Sequence, residues 1–135
     1  MEILKLFINI KEINTVESDT CTAVMILFDG RCDGPYFQGT ILNGGVDTQI
    51  VQKDKSGTLS ARYIVDGKDC EGNACRLFIE NNGILKEDGI VTTPKILTDS
   101  PVLKWMETAV LSGYIDEPDG QLTIHINLLK SLKKI

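Results

Sequence analysis

The sequence is short of positive charge, of histidine and of long apolar stretches. Its 135 residues contain 14 Lys and Arg against 19 Asp and Glu, a formal net charge of −5, and 1 His. Basic residues form no block other than a terminal group of Lys130, Lys133 and Lys134. Most of the surface is therefore expected to repel a phosphate backbone, and nucleic acid is not an expected partner. One His is too few for a common His-rich metal or proton-relay site.

No segment has the roughly 18 consecutive apolar residues of a membrane-spanning helix. The amino-terminal stretch MEILKLFINI carries Glu2, Lys5 and Asn9 and lacks a small-residue cleavage site, so it resembles an edge strand more than an export signal. We therefore expect a soluble, cytoplasmic protein with no membrane partner. The carboxyl-terminal segment SLKKI is expected to form a solvated tail.

The cysteines lack the spacing of a metal site. Cys21, Cys32, Cys70 and Cys75 do not include a pair at the two-residue spacing that gives a zinc knuckle its tight chelate turn. In a protein that is not exported, four free thiols are the simplest interpretation. We expect no metal and no disulfide.

A glycine pair precedes one acidic residue, but its context does not match a nucleotide-binding loop. A dinucleotide fingerprint needs a third glycine and a following helix, whereas Gly44 and Gly45 are followed by Asp47 and then by the strand-like Ile50 and Val51. A glycine bulge or a bend at a barrel corner is favoured over a ligand loop. No cofactor is expected.

Two-residue alternation of apolar and polar side chains dominates the chain. Turn-forming pairs such as Asp66-Gly67, Asp88-Gly89 and Asp119-Gly120 separate the alternating segments, at the spacing of an antiparallel sandwich or barrel. Residues 1–135 are long enough for one domain. Helical spacing occurs only at 100–106, where Ser100-Pro101 offers an N-cap and a first-turn proline, and Trp105 would plug one barrel mouth. We predict an all-β antiparallel fold with at most two short helical turns.

Charged residues inside alternating strands indicate either a polar pocket in the barrel or a solvated outer face. Asp47 and Arg62 lie mid-strand, and they would be inward neighbours if segments 45–52 and 58–65 form a hairpin; Tyr63 would then face the other side. A solvated outer face is an equally good interpretation. Glu80 and Asn82 end a strand beside turn amides, where they either close a binding mouth or only form the turn. His125 lacks a visible catalytic partner in the sequence.

Several segments in order and spacing resemble the domain-of-unknown-function family numbered 3237, and the resemblance covers nearly the whole chain. The segments that carry it are GRCDGPYFQGTILNGGVDTQ, LSARYIV, IENNG, TTPKI and DSPVLKWMETAV. The resemblance implies a single small antiparallel β-barrel, similar to lipocalin-like or allene-oxide-cyclase-like barrels, without an established substrate. Thr48 and Ser60 depart from the family pattern, in which an aromatic and an acidic residue are common.

The resemblance also implies a set of site residues. The recurrent positions of the family fall on Arg31, Gly44, Gly45, Asp47, Arg62, Tyr63, Asn82 and Trp105. Three hypotheses follow for an uncharacterised barrel. It binds a small, partly apolar organic molecule and acts as an isomerase or cyclase in which Asp47 or Glu80 moves a proton. Alternatively it is a non-catalytic carrier, or an interaction subunit that forms a homo-oligomer through its strand edges.

Overall fold

The chain forms a closed antiparallel β-barrel of eight strands in sequential order, in which β8 closes on β1. The computed structural model of the protein describes residues 1–130, so the predicted tail SLKKI lies outside the described residues. The strands are β1 (Glu2–Glu17), β2 (Cys21–Asp33), β3 (Phe37–Gln52), β4 (Gly57–Asp69), β5 (Ala74–Lys86), β6 (Gly89–Thr98), β7 (Val110–Asp116) and β8 (Thr123–Lys130). The all-β barrel prediction is confirmed.

The helical content is two short 3₁₀ turns, at Lys104–Glu107 and Pro118–Gly120, within the described part of the chain. Ser100 stabilises the segment before the first turn, because its hydroxyl accepts a hydrogen bond from the Leu103 N–H and donates one to Asp69 Oδ2. The fully buried Leu103 and nearly fully buried Met106 then pack into the core. The short helical turn predicted near 100–106 is thus present, at the end of the barrel where β6 ends and β7 begins. No helix of residues 1–130 is both long and apolar enough to cross a membrane.

Alternation along each strand separates the core from the outer surface. On β4, Leu59, Ala61, Tyr63 and Val65 are buried, whereas the residues between them are partly or fully exposed. Burying an aliphatic side chain of this size stabilises the fold by about 1.5–3 kcal/mol. The core is therefore built from the inward residues of the strands, and Leu103 and Met106 complete it at one end of the barrel.

The outer half of β1 is a free strand edge in the described structure. β1 pairs with β8 only over Glu2 to Phe7, whereas its pairing with β2 continues to Glu17. Ile10, Ile13 and Val16 are exposed along this projecting segment. Self-association through such an edge remains a prediction.

Candidate functional site

The barrel contains a cavity at the end opposite the first 3₁₀ turn. Its volume is about 150 Å³, and each strand contributes at least one residue to its lining. The lining is aliphatic or aromatic apart from Asp47, Gln49 and Asn81. Ile10, at the rim, is half exposed, so the cavity opens to solvent at this end.

Among the described residues, Asp47 is the only ionisable one in the cavity lining. The side-chain amide of Gln49 donates a hydrogen bond of 2.8 Å to Asp47 Oδ2, while Oδ1 is buried without a partner among the described residues. Burial raises the pKa of the Asp47 carboxyl, and the Gln49 side chain and the Ser60 backbone N–H oppose that rise only in part. A carboxylate with one oxygen fixed and the other free can accept a proton or a hydrogen bond from a molecule in the cavity.

Asn81 supplies a second unpartnered oxygen. Strand pairing places Asp47 opposite Ala61 and Ala61 opposite Asn81, so the two polar residues flank a small side chain. Asn81 is 1 % exposed, and its Oδ1 has no hydrogen-bond partner in the described structure. An unsatisfied buried acceptor costs about 1–3 kcal/mol, which makes two of them in one cavity a feature that requires an explanation.

Tyr63 lies deeper in the barrel, where its ring packs edge-to-face on Phe28 with centroids 5.3 Å apart. Its hydroxyl is buried and has no hydrogen-bond partner within residues 1–130. Burial, followed by the nearby Cys32 and Asp47, raises the pKa of Tyr63 well above its usual range, so the phenol stays protonated. The expectation that Tyr63 faces away from Asp47 is wrong, because both side chains point into the barrel.

The glycine pair forms an irregularity in β3 rather than a ligand loop. The register with β4 shifts between Ile41 and Val46, and Gly44 has a φ of +108°, a conformation that side chains disfavour. A Cβ on Gly45 would lie 3.2 Å from a Phe28 ring carbon. The absence of a side chain at Gly45 therefore lets β3 approach the Phe28 ring and Tyr63 Cβ closely.

Asp47 and Arg62 do not face each other, which corrects the predicted inward pair. Arg62 is paired with Val46, one residue from the Asp47 position, and so points outward. On that outer face Arg62 Nε donates to Glu80 Oε2 at 2.9 Å. Arg62 and Glu80 thus form a surface ion pair, and neither contributes to the cavity.

The other residues implied by the resemblance also lie outside the cavity. Arg31 is exposed and places its guanidinium 4.0 Å from the centroid of the Phe7 ring. Asn82 is exposed because it neighbours the inward Asn81. Trp105 packs edge-to-face on Tyr36 at the opposite end of the barrel. Of the predicted ligand-binding set, Asp47 alone lines the cavity.

Sequence reasoning missed Gln49, Ala61 and Asn81. The β3–β4 register pairs Val51 with Gly57, across the turn of residues 52–56. That register places odd-numbered residues of both strands on the inner face, including Asp47, Gln49 and Ala61. The length of the turn was the available signal, since a change of one residue reverses every side chain of a strand.

Comparison with known proteins identifies a family without an assigned activity. The profile of the family described as "Protein of unknown function (DUF3237)" matches residues 3–91. The chain is similar to a UPF0311 protein from Clostridium acetobutylicum, with 35% identity over 98 residues. That match covers 59% of this chain and 60% of the relative, so the chain spans less than two thirds of the relative's length.

Solved structures share the fold over nearly the whole chain. A protein with unknown function from Clostridium acetobutylicum has a TM-score of 0.79 at 26% identity, covering 93% of this chain and 95% of that one. A β-barrel-like protein from Acinetobacter baumannii has a TM-score of 0.76 at 18% identity, covering 96% and 92%. An enzyme from Penicillium herquei has a TM-score of 0.69 at 14% identity, covering 94% and 92%. The last two similarities establish the fold alone.

Proposed function

The chain belongs to the DUF3237 family of proteins of unknown function, and from that premise we propose that it binds a small, partly apolar organic molecule in the open end of its barrel. The observation that carries this proposal is that two buried oxygens, Asp47 Oδ1 and Asn81 Oδ1, have no hydrogen-bond partner among the described residues. They lie in a cavity whose lining is apolar except for these two residues and Gln49. A few converging polar groups in an apolar pocket are typical of small-molecule sites.

The size of the cavity limits the ligand. A cavity of about 150 Å³ lined by aliphatic and aromatic side chains accommodates a molecule of about the size of benzene. Ile10 and Ile26 lie towards the mouth, so a substituent on the ligand can extend to solvent. The ligand class is therefore a single small ring or a short branched chain with a polar group.

A cavity-filling variant tests this proposal. In Ala61→Leu the larger side chain would occupy the space between Asp47 and Asn81, and it should abolish ligand binding. Ile64→Leu on the same strand is the matched control, because Ile64 points outward and is 40% exposed. The measurement is the thermal shift of the three proteins against a library of monocyclic compounds with one polar group.

We expect some compounds to stabilise the wild type and Ile64→Leu but not Ala61→Leu. Ligands present at about 100 times Kd stabilise by about 2.7 kcal/mol, which a thermal shift detects readily. Hits that stabilise Ala61→Leu equally would place binding outside the cavity and contradict the proposal.

A second candidate function, proton transfer by Asp47, is favoured by the raised pKa and the free oxygen of this carboxyl. A carboxyl whose pKa moves towards neutrality can act as a general base or acid. One protein of similar fold is described as an enzyme, so the barrel architecture is compatible with catalysis. Glu80, the other predicted catalytic candidate, is on the outer surface and is not part of this proposal.

Hydrogen–deuterium exchange at the α-carbon of small cyclic ketones tests the second candidate by NMR. We expect the wild type to accelerate exchange and Asp47→Asn to lower that acceleration by about 10²-fold or more, the usual size of general-base catalysis. Glu80→Gln is the control and should retain the wild-type rate. Loss of exchange in Glu80→Gln, or its retention in Asp47→Asn, would contradict the assignment.

A further inference from the structure

The unmet polar atoms of the cavity lining are both hydrogen-bond acceptors. They are Asp47 Oδ1 and Asn81 Oδ1. Among the lining residues there is no Lys, Arg or His to neutralise the carboxylate. When Asp47 is ionised, the described cavity holds a negative charge without a counter-charge, and its free positions call for donors.

The side-chain hydrogen bond that the Asp47 carboxyl makes in the described structure comes from a donor. Gln49 Nε2 donates to Oδ2 at 2.8 Å, and the Ser60 backbone N–H also favours the ionised carboxylate. Burial nevertheless raises the pKa of Asp47 overall, so a ligand that brings its own positive charge would stabilise the ionised form further.

The other ionisable groups close to Asp47 do not supply positive charge. Tyr63 and Cys32 lie below the cavity, and burial raises the pKa of each, that of Cys32 to about 12. Both are neutral when protonated. The facing residues of the neighbouring strands, Ile26 on β2 and Ala61 on β4, are apolar. A positive charge in this cavity must come from the ligand.

We propose that the cavity binds a small primary amine in its ammonium form, whose N–H groups donate to Asp47 Oδ1 and Asn81 Oδ1. The hydrocarbon part of the amine fills the aliphatic lining. This inference rests on the proposed function, since it names the class of molecule that the same cavity takes.

The strand geometry matches an ammonium group. Asp47 and Asn81 are separated by one strand, so their backbones are about 10 Å apart and their side chains reach inward from both sides of Ala61. An ammonium group carries three donors and can serve two acceptors while the third N–H contacts water at the mouth. A neutral alcohol offers one donor and leaves the carboxylate charge uncompensated, and a carboxylate ligand would be repelled.

Matched pairs of compounds test the proposal by calorimetry on the full chain. Benzylamine and benzyl alcohol form one pair, and cyclohexylmethylamine and cyclohexylmethanol form another; benzoate is the anionic comparison. We expect each amine to bind about tenfold more tightly than its alcohol, a difference of about 1.4 kcal/mol, because only the ammonium group neutralises the charge of the Asp47 carboxylate. Benzoate should not bind.

Variants of two aspartates locate the effect. Asp47→Asn should weaken amine binding about tenfold and leave alcohol binding within about threefold. Asp66→Asn is the control, because it removes the same charge from the outer surface, where Asp66 bonds to Arg76. It should preserve the preference for amines.

The outcomes separate this inference from the proposed function. Equal or tighter binding of the alcohols would overturn the amine inference and leave the cavity as a site for neutral ligands. Amine preference that persists in Asp47→Asn would overturn it as well. If no member of either pair binds, or if binding persists in Ala61→Leu, the inference fails together with the proposed cavity site.

Discussion

At the scale of single residues, Asp47 lowers the stability of the fold because it places a carboxyl group in the cavity. Its carboxyl is buried and its pKa is raised, so the folded state favours the protonated form more than the unfolded chain does. Ionisation therefore destabilises the fold, and this effect is absent well below the unfolded pKa of about 3.9. It grows as the pH rises through the folded pKa.

Replacing Asp47 with Asn should therefore stabilise the ligand-free protein at neutral pH. We expect the free energy of unfolding at pH 7 to rise by about 1 kcal/mol, because the neutral amide removes the cost of burying the carboxylate charge. Urea unfolding over a pH series checks this. The difference between the two proteins should shrink towards about pH 4, and a difference that is constant with pH would contradict the account.

His125 has two carboxylate partners that its sequence neighbourhood does not reveal. Its Nδ1 lies 2.5 Å from Glu2 Oε1 and its Nε2 lies 2.9 Å from Asp116 Oδ1. The imidazole also stacks on the Tyr114 ring, with centroids 4.4 Å apart. Burial alone lowers the pKa of His125, but the hydrogen bonds to Glu2 and Asp116 outweigh it and the pKa is raised. Only the protonated ring donates from both nitrogens.

The raised pKa of His125 makes part of the stability dependent on pH. The contribution is fully present below the unfolded pKa of about 6.5 and is lost as the pH rises through the folded pKa. The test is the difference in the free energy of unfolding between the wild type and His125→Gln, measured by urea unfolding. We expect this difference to decrease by about 1 kcal/mol between about pH 6 and pH 9. Asp116→Asn should reduce this decrease. A difference that is larger at high pH than at low pH would show that a protonated His125 is not stabilised by Glu2 and Asp116.

At the scale of elements, the β3–β4 hairpin shows what alternation predicts and what it leaves open. Alternation identified both strands and placed Leu59 and Ala61 on one face with Tyr63. It did not determine which residue of β3 meets which residue of β4, because register depends on the five residues of the turn and on the bulge at Gly44 and Gly45. For that reason the predicted Asp47–Arg62 pair was wrong by one residue: Asp47 pairs with Ala61 instead.

The junction of β6 and β7 is the shortest ladder of the barrel, with only Val91–Tyr114 and Thr92–Gly113 as paired residues. Small residues make this approach possible. A Cβ on Gly113 would lie 2.4 Å from Thr92 Oγ1, and one on Gly83 would lie 2.7 Å from Thr92 Cγ2. The Thr92 side chain thus fills the space that two glycines leave inside the barrel.

Gly113→Ala should therefore destabilise the protein by about 1–3 kcal/mol through overpacking. Removing the opposing side chain as well, in Gly113→Ala with Thr92→Ala, should recover most of that loss. Denaturant unfolding of both single variants and the double variant measures the coupling between the two sites. Additive effects would show that Thr92 does not limit the space at Gly113.

At the scale of the whole molecule, the barrel was predictable and its cavity was not. Turn pairs such as Asp66-Gly67 and Asp88-Gly89 and the period-two strands between them indicated an antiparallel all-β fold. The cavity, in contrast, joins Asp47 of β3 to Ile115 of β7 and Ile124 of β8, and these residues become neighbours only when β8 closes on β1. Before that closure is known, a polar residue on the outer face of a strand cannot be distinguished from a polar residue that lines the cavity.

Asp47 is a buried carboxyl in an open cavity, without a charged partner among residues 1–130. The most direct measurement is a carbon-13 NMR titration of the aspartate side-chain carboxyls in the ligand-free protein, with Asp47→Asn to assign the resonance. We predict that the resonance absent from Asp47→Asn titrates above the ordinary aspartate value of about 3.9. A resonance that titrates at or below that value would show a solvated or charge-paired carboxylate and would contradict the account.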